Sequence, residues 1–269
     1  MPLALLADTG MAHTLLVRMG TDGKMLEPGK CIRRYWDRMG TYVVDVKSPD
    51  LRCRTSDMDG SKTESCPVAA GSMMSLAFNR NKDGKSFAIL QSHIGPITVY
   101  IAPLKTNGDG DVWVKIYESG WDSGAKEWAT DRLIREGGIF SFTIPPELEN
   151  GDYLVRAEVI ALQYAQTPDG TQFYPGCAHI TVTGGGSTPL PKGVAIPGVY
   201  TETDPGILYK RPKNGDNSGY VIPGPPVYVS KGAGSNPSQN NTSSAQPPKK
   251  ACRRRNRRRM AGRPVVEEL

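Results

Sequence analysis

Short apolar runs separated by glycine, proline, asparagine and aspartate dominate the chain, and they predict its secondary structure. Several runs have the length and the β-branched or aromatic content of strands: 41–46, 73–78, 97–101, 112–117, 139–144, 153–161 and 179–183. Turn-forming pairs such as Asn107-Gly108 and Asp169-Gly170 lie between them. Only residues 127–136 have the pattern of a short helix. This spacing predicts an all-β fold, a sandwich of the immunoglobulin or fibronectin type with long loops.

The pattern changes after Gly184-Gly185-Gly186-Ser187. Residues up to about 229 are rich in proline and glycine, and we expect them to wrap the sandwich as long ordered loops. From residue 230 onward serine, asparagine, glutamine, glycine and proline predominate, a composition that cannot form a packed core. The predicted organisation is a sandwich domain over 13–229 and a disordered, basic tail over 230–269.

Residues 1–12 have several interpretations. They end in Gly10-Met11-Ala12, the small-x-small pattern that precedes cleavage of a signal peptide. They also lack a basic start, and their apolar stretch is shorter than that of most signal peptides. A short leader, a leader whose beginning is missing and an ordinary unstructured start therefore all stay open. Cleavage after Ala12 would make His13 the first residue.

The formal charge of +6 on the 269 residues is unevenly distributed. Residues 249–269 carry nine basic and two acidic side chains, so the tail accounts for +7 and the rest of the chain for −1. This argues against a nucleic-acid groove spread over the fold, and we expect no nucleic-acid partner. The basic run could bind an anionic polymer, direct nuclear import or be a protease site, and a solvated charged terminus is the simplest interpretation.

Several functional classes are excluded or disfavoured by the sequence. No apolar run approaches the roughly 20 residues that span a bilayer, so no membrane partner is expected. The motifs of P-loop proteins, dinucleotide-binding folds, serine hydrolases and zinc metalloproteases are absent. The five cysteines contain no CxxC pair, which disfavours a zinc ribbon and fits one or two long-range disulfides. Such disulfides indicate an oxidising compartment.

One segment resembles a known family. Ser92-His93-Ile94-Gly95-Pro96-Ile97-Thr98-Val99-Tyr100 is similar to the SHxGPxxVY motif of the fungal cellulose-active lytic polysaccharide monooxygenases, auxiliary activity family 9, formerly glycoside hydrolase family 61. Gln172-Phe173-Tyr174-Pro175-Gly176-Cys177-Ala178 matches a second family segment. Further similar segments occur in the family's order at 111–117, 151–162, 182–187, 196–200, 204–208 and 222–226. The resemblance thus extends from His13 to about residue 228.

The resemblance implies a single copper ion as cofactor. The amine and imidazole of a first-residue His13 and the imidazole of His93 would supply three nitrogen ligands, which suit the tetragonal preference of Cu(II). Tyr174 corresponds to the family's axial tyrosine, and Gln172 to a glutamine that hydrogen-bonds the activated oxygen. The implied activity is oxidation of a β-1,4-glucan such as cellulose at C1 or C4. It would require an external reductant and O2 or H2O2, in a secreted, extracellular monomer.

Gln163 departs from the family pattern. The family usually has a histidine at this position, beside the copper. An amide can donate a hydrogen bond, but it cannot exchange protons near neutral pH as imidazole can. We therefore expect copper binding to be preserved and oxidative activity to be reduced or altered. His179, two residues after Cys177, does not restore the missing histidine, and no role is assigned to it.

The resemblance also implies a disulfide between Cys53 and Cys177. Cys31 and Cys66 form a candidate second pair, and Cys252 is expected to be unpaired. The resemblance also implies an exposed substrate-contacting ring in the closing loop, and Tyr228 is the candidate for it, since aromatic rings stack on the C–H faces of sugars. Tyr220, Tyr35 and Trp36 are weaker candidates. The tail has no aromatic residue and one cysteine, so it contains no cellulose-binding module, and overlapping glycosylation sequons begin at Asn240 and Asn241.

Three functional hypotheses follow. The first is a secreted copper-dependent polysaccharide monooxygenase. The second is a copper-binding or carbohydrate-binding relative with little cleavage activity, because Gln163 replaces the histidine. The third is a binding or structural relative in which the leader is retained and His13 is not freed.

Overall fold

The computed structural model describes residues 14–34, 42–54, 60–81 and 83–229, which form a two-sheet sandwich. One sheet has the strand order β2-β1-β4-β7 and the other the order β3-β9-β8-β5-β6. The strands are β1 Leu15–Thr21, β2 Lys24–Met25, β3 Cys66–Ala69, β4 Met73–Asn79, β5 Ile97–Pro103, β6 Val114–Ser119, β7 Ile139–Thr143, β8 Gly151–Ala161 and β9 Gln172–Thr183. The helix α1 spans Ala129–Arg135, and short 3-10 turns lie at Pro49–Leu51 and Leu104–Thr106. The predicted fold class is confirmed.

The central pair of the larger sheet is formed by β8 and β9. They are antiparallel, and their register runs from Gly151 opposite Val182 to Ala161 opposite Gln172. Strand β5 lies on the other side of β8, with Ile97 opposite Val159. The end of β8, the start of β9 and the start of β5 therefore meet at one end of the sandwich. We call it the site end.

Apolar side chains fill both faces of the larger sheet. Between the sheets, the core includes Leu76, Val99 and Val155. On the outer face, Tyr100, Trp113, Leu154, Phe173 and Tyr200 belong to a second buried cluster. Burial on both faces extends to the charged residues of β8, since Arg156 and Glu158 lie fully buried among its apolar side chains.

A buried ion pair attaches the closing loops to that outer face. Arg156 and Glu158, both fully buried on β8, are paired through their guanidinium and carboxylate groups. The hydroxyl of Tyr200, from the loop that follows the sandwich strands, donates to Glu158 Oε2 over 2.8 Å. Since a buried charge is tolerated only when it is paired and hydrogen-bonded, this contact holds the loop against the sheet.

Two disulfides join the early loops to the sandwich. Cys53 is bonded to Cys177 on β9, and Cys31 is bonded to Cys66 at the start of β3. The first bridge closes a sequence separation of 124 residues. In the chain-entropy model, closing such a loop stabilises the fold by about 4–5 kcal/mol. Both pairs agree with those expected from the sequence, whereas Cys252 lies outside the described residues.

The sequence and the structure differ mainly in the first third of the chain. The strand predicted at 41–46 is reduced, in its described part, to an isolated bridge between Val43 and Phe173. The pattern did not predict β1, β2 or β3, which the structure forms. The helix predicted at 127–136 is confirmed with slightly shorter ends. In the described part of the chain, no helix is long and apolar enough to cross a membrane.

Candidate metal centre

His93 lies in the loop that leads into β5, at the site end. It is 5% exposed, and its backbone N–H donates to the carbonyl of Leu90 over 2.9 Å. Ser92 Oγ lies 3.1 Å from His93 Nδ1. This contact orients the ring, so that a metal would be bound through Nε2.

Gly95 lies where the loop after His93 passes very close to the backbone at the end of β8. Its φ is +154°, and a Cβ at this position would lie 1.9 Å from the carbonyl oxygen of Ile160. The N–H of Gly95 donates to Thr130 Oγ1 on α1 over 3.0 Å. The N–H of Leu162, just past β8, donates to the carbonyl of Ile94 over 2.8 Å. The glycine of the SHxGP segment thus lets the His93 loop contact the end of β8 directly.

Gln172 and Tyr174 are two residues apart on β9 and therefore point to the same face of the sheet. The Tyr174 hydroxyl donates to Gln172 Oε1 over 2.8 Å. Gln163, just beyond the end of β8, donates from Nε2 to the same oxygen over 2.7 Å. The structure therefore joins the three predicted residues into one hydrogen-bonded group.

The phenol of Tyr174 is neutral at physiological pH. Its side chain is fully buried, and burial raises the pKa of the phenol above its usual value despite the opposing effect of Arg54. The ring lies 6.0 Å from the His93 ring, centroid to centroid, at an interplanar angle of 56°. A neutral phenol oxygen is a weaker metal ligand than an imidazole nitrogen.

Gln163 leaves one polar atom unsatisfied. Its Oε1 is buried and has no hydrogen-bond partner among the described residues. A buried carbonyl without a donor costs about 1–3 kcal/mol, so this atom indicates a place for a bound water or another small molecule with a proton to donate.

The start of β1 enters the same end of the sandwich. His13 lies outside the described residues, but Thr14 is fully buried and held on two sides. Its Oγ1 donates to the carbonyl of Ala88 over 2.6 Å, and its carbonyl accepts from Arg54 Nη1 over 3.1 Å. The Arg54 guanidinium carbon lies 5.6 Å from the centroid of the Tyr174 ring. The residue that follows His13 is therefore fixed near Tyr174.

The donor set fits copper only if the amino-terminal segment takes part. In the described ranges, no group of three or more histidine, cysteine, aspartate or glutamate side chains could hold a metal ion. His93 with the neutral Tyr174 makes an incomplete site. It needs further nitrogen donors, which suit Cu(II) better than carboxylates do.

His179 lies farther along β9, opposite Leu154, and away from the site end. It is 3% exposed and accepts a hydrogen bond of 2.8 Å from Arg33 Nε through its Nε2. Burial, together with the positive charge of Arg33, lowers the pKa of its imidazole to about 4. His179 is thus a neutral acceptor for a buried arginine, which gives a structural role to a residue that the sequence left unassigned.

The structure does not bring Tyr228 to the site end. Its N–H donates to the carbonyl of Lys115 on the edge strand β6 over 2.7 Å, and its phenol lies beside Glu147. The loop carrying Glu147 precedes β8 and so belongs to the opposite end of the sandwich. Tyr220 packs against Trp128 and Tyr209 and is partly buried. Tyr35 and Trp36 lie outside the described residues.

Two exposed rings that the sequence did not single out lie at the site end. Tyr164 follows Gln163 and is 58% exposed. Tyr42 is 42% exposed, and its ring makes an edge contact with Tyr174 at a centroid distance of 6.2 Å. The position of Tyr164 next to Gln163 was a usable signal. No sequence signal pointed to Tyr42, because its contact with Tyr174 depends on a long-range bridge between Val43 and Phe173 on β9.

Comparisons with known proteins agree with this geometry. The family model Auxiliary Activity family 9 (formerly GH61) matches residues 11–220. The chain is 42% identical over 196 residues to AA9 family lytic polysaccharide monooxygenase A of Aspergillus niger, covering 72% of this chain and 46% of that protein. The chain spans about half the length of the first curated relatives it matches.

Solved structures show the same fold. CvAA9A superimposes with a TM-score of 0.73 at 32% identity, covering 80% of this chain and 98% of that one. A cellulose-active polysaccharide monooxygenase from M. thermophila gives a TM-score of 0.64 at 28% identity, covering 80% and 99%. With the family model matching most of its length, the chain belongs to auxiliary activity family 9, the lytic polysaccharide monooxygenases.

Proposed function

We propose that this protein is a secreted, copper-dependent monooxygenase that cleaves a β-1,4-glucan, cellulose or a related polymer, by oxidation at C1 or C4. The observation that carries the proposal is the placement of His93 and Tyr174, with rings 6.0 Å apart, at the end of the sandwich where the chain enters at Thr14. The membership in a family of copper oxidoreductases supports the same conclusion.

His13, His93 and Tyr174 would hold one copper ion. The free amine and imidazole of His13 would give two nitrogens and His93 the third, while the buried Tyr174 hydroxyl would offer a weaker oxygen donor. When bound, copper would supply the one-electron chemistry needed to activate O2 or H2O2 with electrons from an external donor. Release of the His13 amine requires removal of residues 1–12, so the proposal includes their cleavage as a leader.

The protein's own residues would position the co-substrate. Gln172 accepts hydrogen bonds from Tyr174 and Gln163 on one oxygen, which fixes the orientation of its amide. The buried Gln163 Oε1 would accept a proton-bearing group, such as water or hydrogen peroxide. Neither amide titrates, so any proton needed by the reaction would have to come from solvent or from the co-substrate itself.

The polymer would lie on the surface around Tyr42 and Tyr164. Both rings are exposed at the site end and could stack on the C–H faces of sugars. The near-neutral charge of residues 1–248 suits an uncharged polymer. The two disulfides fit an oxidising, extracellular environment.

A second candidate is favoured by Gln163 itself. With an amide where the family usually has histidine, the protein would bind copper and polysaccharide but cleave the polymer inefficiently. The same proposal includes oxidation at C1 or C4, an external reductant and a monomeric protein. It also includes the basic tail over 230–269 as a charged terminus with glycosylation sequons at Asn240 and Asn241.

The first test is the mass of the mature amino terminus from the native host. A chain beginning at His13 is expected, and any other start would rule out a site that uses the His13 amine. Electron paramagnetic resonance of the copper-loaded chain should show three nitrogen ligands in wild type and fewer in His93→Ala. Oxidised oligosaccharides released from cellulose with ascorbate would identify a monooxygenase, whereas copper binding without products would favour the second candidate.

A further inference from the structure

Arg54 lies at the site end in an unusual backbone conformation. It follows Cys53 directly, and the partner of that cysteine, Cys177, is three residues from Tyr174 on β9. The φ of Arg54 is +48°, in the left-handed region that costs an ordinary residue about 1 kcal/mol. Glycine and asparagine are the residues that suit this conformation. An arginine there indicates that its side chain has a use that offsets the local cost.

The side chain connects two parts of the candidate metal centre. Arg54 is 7% exposed, and its Nη1 donates to the carbonyl of Thr14, the residue after His13, over 3.1 Å. Its guanidinium carbon lies 5.6 Å from the centroid of the Tyr174 ring, within the range of a cation–π interaction. Thr14 is held independently by its own hydroxyl, which donates to Ala88.

We infer that Arg54 is a positioning residue with two effects: it anchors the backbone beside His13, and its charge raises the reduction potential of copper bound at this end. The inference rests on the copper site proposed above. A guanidinium is charged at every physiological pH. In a poorly solvated site it disfavours Cu(II), with two charges, more than Cu(I), with one. The reduced state is therefore stabilised relative to the oxidised one.

Four variants separate these effects. Arg54→Lys keeps the charge and a donor, Arg54→Met removes both at similar length, and Arg54→Asn removes both while suiting the left-handed backbone. Thr14→Val removes the hydroxyl contact to Ala88 but leaves Arg54 and its charge in place. Arg211→Met, in an exposed part of the closing loops, is the control for a simple change in net charge.

The copper measurement is the ratio of Cu(II) to Cu(I) affinity on chains beginning at His13. We expect Arg54→Met and Arg54→Asn to shift this ratio toward Cu(II) by on the order of tenfold, which is about 59 mV for a one-electron couple. Arg54→Lys, Thr14→Val and Arg211→Met should stay within about twofold of wild type, since each keeps a cation at position 54. An unchanged ratio in both Arg54→Met and Arg54→Asn would overturn the effect of the charge. So would an equal shift in Thr14→Val.

The metal-free measurement is amide hydrogen exchange of the peptide spanning 14–17. Exchange should be faster than wild type in Arg54→Met, Arg54→Asn and Thr14→Val, and unchanged in Arg54→Lys. Wild-type exchange in the first two would overturn the anchoring effect. Should the wild-type chain bind no copper, the proposed function and the charge effect both fail, while the exchange data still decide the anchor.

Discussion

The amide nitrogen of Gln163 donates a hydrogen bond of 2.7 Å to Oε1 of Gln172. The same oxygen accepts the hydroxyl of Tyr174, so one amide connects the end of β8 to the buried phenol on β9. Gln163 thus provides a donor toward Gln172 but, unlike a histidine, no group that titrates near neutral pH. This difference leads to the first prediction.

Gln163→His should increase the release of oxidised products from cellulose. Imidazole can keep the hydrogen bond to Gln172 and can also transfer a proton, which contributes about 10²-fold or more in many enzymes. We expect a rise of at least about tenfold in turnover, with copper affinity unchanged. Gln163→Leu, which removes the donor to Gln172, should lower turnover. Equal turnover in Gln163→His and wild type would contradict the prediction.

Gly95→Ala should destabilise the protein strongly. The added Cβ would meet the carbonyl of Ile160 at 1.9 Å, at a φ of +154°. We expect a loss of at least about 3 kcal/mol in the free energy of unfolding. Gly110→Ala is the matched control, because its φ is +81° but its Cβ would meet nothing within 4 Å. That change should cost only about 1 kcal/mol, the price of the backbone conformation alone. Similar losses in denaturant unfolding would refute the steric explanation.

Because of the buried His179, the free energy of unfolding should be lower in mild acid than at neutral pH. The pKa of this histidine is about 4 in the folded protein and about 6.5 in an unfolded chain. Above pH 6.5 both states are neutral and the full stability is present. As the pH falls from 6.5 to 4, only the unfolded chain binds a proton, so the free energy of unfolding decreases by roughly 3 kcal/mol.

His179→Gln tests this explanation. A glutamine can still accept the hydrogen bond from Arg33 Nε, but it does not titrate. Denaturant unfolding at several pH values should show a flatter acid limb for the variant than for wild type. If both proteins lose the same stability between pH 6.5 and 4, another group is responsible.

Tyr164→Ala and Tyr42→Ala should weaken binding to cellulose. Both rings are exposed at the site end, and stacking on a sugar contributes about 1 kcal/mol per ring, so we expect roughly fivefold weaker binding for each. Tyr228→Ala is the control, because Tyr228 contacts Lys115 and lies away from this surface. Binding isotherms in which only Tyr228→Ala shows a loss would place the polymer elsewhere.

The sequence by itself determined the fold class and the family. Through the resemblance, it also identified Gln163, Gln172 and Tyr174, which the structure joins by hydrogen bonds. Local patterns suffice for these: alternating strands and turns predict a sandwich, and the ordered segments around His93, Gln172 and Tyr174 predict a site. The hydrogen bonds that join Gln163, Gln172 and Tyr174 follow from the pairing of two strands, β8 and β9, that the pattern had already predicted in part.

Only the tertiary structure decided which other residues reach the site end. Arg54 contacts Tyr174 because a disulfide holds its neighbour against β9, and Tyr42 does so because an isolated bridge joins Val43 to Phe173. Tyr228 is kept away because its backbone pairs with the edge strand β6. These contacts join positions far apart in the chain, and no local pattern of hydrophobicity or charge encodes them. Their physical basis is chain closure and burial, which exist only once the two sheets have formed.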